Sequence, residues 1–563
     1  MGGHYMKAAI DLGTTNSLVM IRRNGKNELV PNQFGEYSTP SIVTVTEDEV
    51  FVGEMAYAKE VLYPQSTFRL FKRDMGSNQT FGERKITAIE LSAMVIKQLI
   101  KDVEAFTNER VTEVVISVPA YFTDEQRQAT RKSALICGVE ANRIINEPSA
   151  AALSYYQIDK KEGQFLVFDF GGGTLDATVV DIFDDIVDIV AIAGNNQLGG
   201  HDLDMIIEDA FIECHPVLAN ISSDSKKILR SKMEKAKIAL TTFPEVSIDF
   251  KYENTNYNMK LTQQDYINKS EPILMKIRKV VAQVLRDAEI KAEDIDDVIC
   301  VGGSCKSIII QNYLEDLLNQ RINLMPNPDK VVIDGLGLMV AIINREPGYG
   351  NTILTDVCPF SLGVDVIGDI YSPIISRNTT LPVSRTRHYV TINDYQRVVR
   401  FSVYQGENLV ASANKLLMSG EAPVIMKKKG AASVTVTFTY DINGILDVAI
   451  TGDDVKKEYH NQVVTNKIIT DQEVARMMPY LKLIDKSESS NREILLESRF
   501  ERLNMELMSQ SQERLRDLFM TFREEKEGAS KGKLIQLINK VNNQLDDLER
   551  SIFDPFVKEN NRH

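Results

Sequence analysis

The run Val167 to Asp181, VFDFGGGTLDATVVD, closes an apolar stretch with Asp169, follows it with Gly171, Gly172, Gly173 and Thr174, and sets a second acid at Asp176. Glycines let backbone N–H groups approach an anion, and flanking carboxylates would repel that anion unless a cation stood between them. That chemistry is a metal-bound phosphate. The same letters also suit a tight hairpin between two buried strands, since FLVF and ATVV flank the glycines. A second copy of the device opens the chain, where AAIDLGTTNSLV passes from an apolar strand through Asp11 and Gly13 to Thr14, Thr15 and Asn16. Two such hairpins facing each other across a cleft would hold a polyphosphate from both sides, with Asp11 and Asp176 available to a hydrated Mg²⁺. Neither a G-x-x-x-x-G-K-[ST] loop nor a strand-to-helix G-x-G-x-x-G occurs, so the other common nucleotide devices are unsupported.

Positioning two hairpins across a cleft takes a large scaffold, and 563 residues supply several domains. From Met6 to about Arg345, short apolar runs such as EVVISVP and DDVICVGG alternate with helical patterns such as AIELSAMVIKQLIKDVEAF and SKKILRSKMEKAKIAL, the rhythm of an α/β domain with covered sheets. EPGYGNTILTD breaks that rhythm, and residues 351–356 read as a linker between a domain over 1–350 and one over 357–470. The latter is almost all strand. In SVTVTFTY, Val434, Val436, Phe438 and Tyr440 alternate onto one face, and Asn443-Gly444 marks the bend before ILDVAI. Residues 471–563 read as helices, with Leu534, Ile538, Val541, Leu545, Leu548 and Ile552 forming one apolar seam. So short a seam predicts an intramolecular bundle with Met505, Met508 and Met520 in its core.

A net charge of −14 argues against nucleic acid or an anionic membrane as the main partner and leaves room only for local basic patches. Five cysteines in apolar surroundings read as reduced thiols of a cytoplasmic protein rather than a disulfide framework or zinc site. No run of 18 apolar residues occurs, and the opening lacks the pattern of a secretory signal.

Taken together, IDLGTTNS, FKRDMG, VPAYFTDEQRQAT, RIINEPSAAAL, DFGGGTLD, LGGHDLD, MEKAKIAL, VGGS and NPD, followed by PFSLGV, NTTLP, VYQGE and DINGILDV, resemble the seventy-kilodalton heat-shock chaperone family over almost the whole chain. The resemblance implies an actin-like two-lobed ATPase domain, a β-sandwich that binds extended peptides, and a helical lid. It implies ATP and ADP with Mg²⁺, and K⁺ as a further candidate ion. Position by position, Lys72 would orient the attacking water and the γ-phosphate, Glu147 would help place that water, Asp169 would accept the proton, and Thr174 would touch the γ-phosphate. Gly13, Thr14, Thr15, Asn16, Gly171, Gly172 and Gly173 would contact phosphate. Asp11, Asp169 and Asp176 would surround the ion, mostly through water. Gly199, Gly200, Glu234, Lys237, Thr241, Gly302, Gly303, Ser304, Lys306 and Asp329 would complete the nucleotide site. On residue type alone, Lys72 with Arg73 also suits a solvated pair, and Glu147 before Pro148 a helix cap.

In the sandwich, the family's peptide pocket maps onto Val364, Val366, Ile367, Tyr389, Val390, Ile392, Val399 and Phe401, of which Val364 and Phe401 equally suit sandwich core. Pro119 and Arg127 match a relay between nucleotide state and the sandwich, and Arg143 with Asp356 matches positions used by J-domain partners. Clients would be unfolded or extended peptides bound by a monomer, with the need for an exchange factor open. Several features depart from the family's pattern. Lys306 lacks the planar face of the arginine that stacks on adenine. The segments between Lys72 and Pro119 and around FKYENTNYNMKL are short, and the chain ends KENNRH without an acidic tail. Thr352 and Thr355 replace linker aliphatics, removing about 1–3 kcal/mol of apolar docking. These point to a specialised bacterial member. The competing readings are a sugar- or acetate-type kinase on the same actin-like fold and a filament-forming relative.

Overall fold

The strand that ends in Asp11, Tyr5–Asp11, folds back on Asn16–Arg23 and lies parallel to Arg110–Val118. The strand that carries Asp169, Gly163–Phe170, folds back on Leu175–Phe183 and lies parallel to Asp297–Val301. Outside each parallel neighbour runs another parallel strand, Glu140–Asn146 in one sheet and Asn323–Leu324 in the other. Each returning strand has a further antiparallel neighbour, Lys26–Leu29 or Ile186–Asn195. One connectivity is therefore built twice. The computed structural model describes residues 5–253, 255–349, 352–442, 444–463, 470–486, 492–507 and 509–551.

Local sequence explains the elements. Residues such as Phe165, Leu166, Val167 and Phe168 are wholly buried because helices cover both faces of the sheet. The helix Ala88–Thr107 starts in a capping box, with Thr87 N donating to Glu90 Oε2 at 2.8 Å and Glu90 N to Thr87 Oγ1 at 3.3 Å. It stops at Asn108, whose φ of 57° places it in the left-handed region. Between the sheets, helices Glu147–Asp159 and Val331–Ile343 approach so closely that a Cβ on Gly335 would stand 1.8 Å from Ala150 O. That contact closes a core of Tyr155, Phe165, Ile299 and Leu336 shared by both halves.

The linker joins the second sheet as its outermost strand: Ile353–Leu354 pairs in parallel with Ile186 and Val187. Leu354 packs inward, whereas Ile353 is 53% exposed. Thr355, expected to weaken docking, instead donates its hydroxyl to Asp188 and its amide to Val187 O at 3.1 Å. Of these two bonds only the hydroxyl contact depends on the threonine side chain.

Beyond the linker, two four-stranded antiparallel sheets face each other. The expected hairpin is present: Ser433–Tyr440 pairs with Leu446–Thr451, Tyr440 lies opposite Leu446, and Val434, Val436, Phe438 and Tyr440 are buried as the alternation predicted; Asn443 lies outside the described residues. Of the helices, Asp471–Lys486 sends Met477, Leu481 and Ile484 into the core beneath Ala88–Thr107. Arg492–Glu506, Ser509–Lys526 and Lys531–Ser551 form a bundle around Leu503, Phe522, Val541 and Leu545. Met520 is 55% exposed on that bundle rather than in its core, because Phe522 and Leu515 occupy the inward face. Met508, Ile552 and the side chain of Met505 lie outside the described residues. All five cysteines are free, but Cys214 is exposed at a helix end, not apolar-buried as its neighbours suggested. Among the described residues no helix is long and apolar enough to cross a membrane.

Candidate functional site

The two hairpins face each other across a cavity of about 820 Å³. Their loops interlock. A Cβ on Gly172 would lie 2.3 Å from Thr15 Cγ2, and one on Gly173 2.5 Å from Thr14 Cγ2, so two of the three glycines are needed to admit the threonines of the opposite hairpin as well as to free their amides. Gly171 meets nothing closer than 3.8 Å. Ser304 Oγ donates to its carbonyl at 2.9 Å, which ties the loop to the turn after Asp297–Val301.

Asp11, Gly13, Thr14, Thr15, Asn16, Lys72, Glu147, Asp169, Gly171, Gly172 and Thr174 line the cavity, together with Glu234, Lys237, Thr241, Gly302, Gly303, Ser304, Lys306 and Asp329. Gly173, Gly199, Gly200 and Asp176 do not. Gly199 backs the loop, since a Cβ there would sit 2.4 Å from Gly173 N, while Gly200 N and His201 N donate at 2.9 Å to the carbonyls of Gly171 and Gly172. Asp176 stands behind the wall, 1% exposed, accepting from Ala120 N and Tyr121 N at 3.2 Å each.

Lys72 sits in the turn Phe71–Asp74, 2% exposed, and its Nζ lies 2.8 Å from Glu147 Oε1. The reading as a solvated pair is therefore excluded. Arg73 is engaged too, donating from Nε to Gly173 O at 2.9 Å and pairing with Asp202. Glu147 is the first residue of its helix, with Asn146 as N-cap, so its carboxylate serves the cavity rather than the cap. Burial and the Glu147 charge push Asp11 up to about 6, although Ser117 Oγ donates to it at 2.6 Å. Burial, then Glu147 and the other two aspartates, hold Asp169 well above the usual carboxylate range. Burial and Glu147 raise Asp176 to about 7 against the pull of the Tyr121 and Ala120 amides. Carboxylates crowded this way are charge-frustrated without a cation. Among the described residues no three acids, imidazoles or thiols are arranged as direct metal ligands.

At the far end, Lys237 Nζ lies 2.7 Å from Asp204 Oδ1 and Lys306 pairs with Asp329. Sequence reasoning missed the residues that hold the lobes together across the mouth. Arg69 Nη2 lies 3.6 Å from Glu234 Oε2, Gln65 Nε2 donates to Ser223 Oγ at 2.7 Å, and Lys227 donates to the carbonyls of Pro64 and Thr67. These partners are far apart along the chain, and no motif marks them.

From the hairpins a continuous set of contacts leads to the linker. Asp176 holds the amides of Ala120 and Tyr121, which follow buried Pro119. Arg127 Nη2 donates to Ala120 O at 3.0 Å and to Asn146 Oδ1 at 2.6 Å, and Asn146 Nδ2 donates to Asp356 Oδ2 at 2.7 Å. Asn146 was not singled out from sequence, although it adjoins Glu147. Arg143 is half-buried, with the charge of Asp356 acting on it. The sandwich rests on this same surface: Tyr440 donates to buried Asp124, Lys415 Nζ lies 2.6 Å from Glu125 Oε2, and Arg377 Nη2 2.6 Å from Asp287 Oδ1.

Of the residues expected to form a peptide pocket, Val364 and Phe401 are 3% and 6% exposed within the sandwich core. Tyr389 and Val399 pack at its edge and Val366 is half-buried, while Ile367, Val390 and Ile392 are exposed.

The profile of the Hsp70 protein family matches residues 8–85 and 77–560. Among similar proteins are the chaperone protein DnaK of Thermotoga neapolitana, 34% identical over 504 residues, and that of Thermosipho africanus, 35% identical over 503; each alignment covers 86% of this chain and 84% of the relative. A match of that extent shows that the chain belongs to the Hsp70 family.

Proposed function

We propose that this protein is an ATP-dependent chaperone that hydrolyses ATP in the cavity between the hairpins and uses the nucleotide state to set how the sandwich grips an extended apolar peptide. The observation that carries this reading is the buried pair of Lys72 and Glu147 facing both hairpins, one residue from Asn146 and hence one contact from the linker. Phosphoryl transfer needs positioning and charge neutralisation more than covalent help. In this assignment Lys72 holds the γ-phosphate and the attacking water, Glu147 orients that water, Thr14, Thr15 and Thr174 donate to phosphate oxygens, and Asp169, whose burial favours protonation, accepts the proton. Asp11, Asp169 and Asp176 would hold a hydrated Mg²⁺, and their crowding fits such an ion. When bound, Mg²⁺ neutralises β- and γ-phosphate charge. Glu234, Lys237, Thr241 and the turn Gly302–Lys306 would take the nucleoside; Lys306, paired with Asp329, offers no stacking plane.

Residues 1–350 would form the ATPase domain on an actin-like plan, 351–356 the linker, 357–470 the peptide-binding sandwich and 471–563 the lid. Extended clients would lie along the sandwich by main-chain hydrogen bonds, with one aliphatic side chain admitted between Tyr389, Val399 and the exposed pair Ile367 and Ile392. A J-domain co-chaperone would engage Arg143 and Asp356. The docked sandwich argues against a small-molecule kinase, which has no use for it. The decisive test is steady-state ATP hydrolysis with apolar peptides, with and without a J-domain, on the protein and on Val399→Phe. Stimulation lost in the variant with basal hydrolysis kept supports the reading, whereas ATP consumption that requires a sugar or carboxylate refutes it.

A further inference from the structure

Between residues 357 and 463 the sandwich carries eleven lysines and arginines against ten aspartates and glutamates, a slightly positive balance within a chain of net charge −14. Two of the cations sit beside the groove. Side chains two residues apart on a strand share a face, so Arg387 shares the face of Tyr389, and Arg397 that of Val399 and Phe401. The ladder continues through Arg397, whose carbonyl accepts from Val424 N at 2.9 Å. Arg387 Nη1 donates to Ser372 Oγ at 3.1 Å, and the same hydroxyl lies 3.0 Å from Tyr389 Oη. Neutral groups therefore anchor this guanidinium at the groove.

Both arginines are exposed, and neither has an ion-pair partner among the described residues. Several acids of the sandwich have other partners. Asp394 accepts from Lys429 N and Asp365 from Ser402 N, each at 2.8 Å, while Asp454 pairs with Lys427 at 2.5 Å and Glu421 with Arg400 at 2.8 Å. Arg400, by strand alternation, points to the face opposite the groove.

We propose that the groove selects apolar segments whose central aliphatic residue is flanked by aspartate or glutamate, with Arg387 and Arg397 as the specificity-determining residues. The proposal rests on the peptide-groove reading given above. A client carboxylate beside either guanidinium gains a charge-assisted hydrogen bond, and a client lysine there meets a guanidinium that has no ion-pair partner among the described residues. Exposed pairs of this kind are modest singly and are screened by salt.

The test uses the full chain with ADP and three fluorescent heptamers that share a central leucine and carry aspartate, serine or lysine on both sides. At about 20 mM salt the aspartate peptide binds about tenfold tighter than the lysine peptide, with serine between, and at about 0.5 M salt the ratio falls to about twofold. The double variant Arg387→Glu with Arg397→Glu reverses the order while keeping serine-peptide affinity and basal ATP hydrolysis. Equal binding of all three peptides overturns the charge selection and leaves the groove reading intact. Failure of all three to bind overturns the groove reading itself. A preference that high salt does not reduce, or that the folded double variant retains, overturns the role of the two arginines; should that variant not fold, the salt dependence of the unmodified protein decides.

Discussion

Asn146 Nδ2 donates to Asp356 Oδ2 at 2.7 Å, and the residue after Asn146 is Glu147, whose carboxylate lies 2.8 Å from Lys72 Nζ. A linker residue and the chemical end of the cavity are thus separated by one peptide bond at the start of a helix whose N-cap is Asn146 itself. The cavity and the linker therefore share one short path of contacts. Spatial proximity is not coupling, which requires that both sites bias one two-state element. The candidate for that element is the linker strand, paired here with Ile186 and Val187, and Asn146→Ala tests it.

Asn146→Ala removes the bridge without touching the cavity. Basal single-turnover hydrolysis should stay within about threefold of normal, while ATP should accelerate release of a fluorescent peptide at least tenfold less than in the unmodified protein. Stopped-flow dissociation with ATP and with ADP measures this. Full acceleration by ATP in the variant would place the coupling elsewhere.

Lys72→Ala removes a group that matters most as charge develops in the transition state. The hydrolysis rate should fall by about 10²–10³ with ATP binding preserved, the loss typical of one preorganised donor. The variant also strands Glu147 as a buried, uncompensated charge, so the nucleotide-free protein should unfold at lower temperature; Glu147→Gln in the same background, which keeps the shape and removes the charge, should restore much of that stability. Single-turnover rates and calorimetry separate the two effects.

Much of this site was legible in sequence because the hairpins are local. Asp11 to Asn16 and Asp169 to Asp176 each form within a few residues, and their glycine and threonine signals are dictated by that local geometry. The hairpin ending at Tyr440 was readable for the same reason, since alternation fixes register and burial together. What sequence could not give is contact between distant elements. Arg69 with Glu234, Asn146 with Asp356 and Tyr440 with Asp124 join residues 165, 210 and 316 positions apart, and no periodicity encodes them. The glycine run was only partly understood, because the threonines that fill the space beside Gly172 and Gly173 belong to the other hairpin. Met520 failed for a simpler reason: a heptad-like face admits several phases, and Leu515 and Phe522 took the inner one.

Asp176 gives the nucleotide-free protein a signature in pH. Its carboxyl rises from 3.8 to about 7 in the folded state, so folding favours its protonated form. The sign follows: stability from this group is fullest below the unfolded value and is lost as pH climbs through about 7. Asp176→Asn should therefore lose less stability than the unmodified protein between pH 4 and pH 7, and Mg²⁺ with ADP should shrink the difference by compensating the charge. Denaturant midpoints across that range test it, and parallel profiles for the two proteins would contradict the assignment.

Docking of the sandwich on the ATPase half turns on Tyr440 and Asp124. The phenol donates to a carboxylate that is 1% exposed, and burial pushes that carboxyl up to about 6 although Tyr440, Arg127 and Gln405 all act to lower it. Tyr440→Phe conserves the ring in the sandwich core and deletes only the hydroxyl, so the sandwich stays folded while Asp124 loses a donor that undocking would let water replace. Docking should weaken, and with it the fast peptide release that ATP produces, whereas peptide affinity with ADP should hardly change. Protonating Asp124 should mend the defect, and because the variant lacks the Tyr440 hydroxyl that lowers this carboxyl, its release rates should begin to approach normal as pH falls already above about 6. Peptide dissociation measured with ATP between pH 5 and pH 8 distinguishes this from simple damage to the sandwich, which would lower ADP-state affinity at every pH.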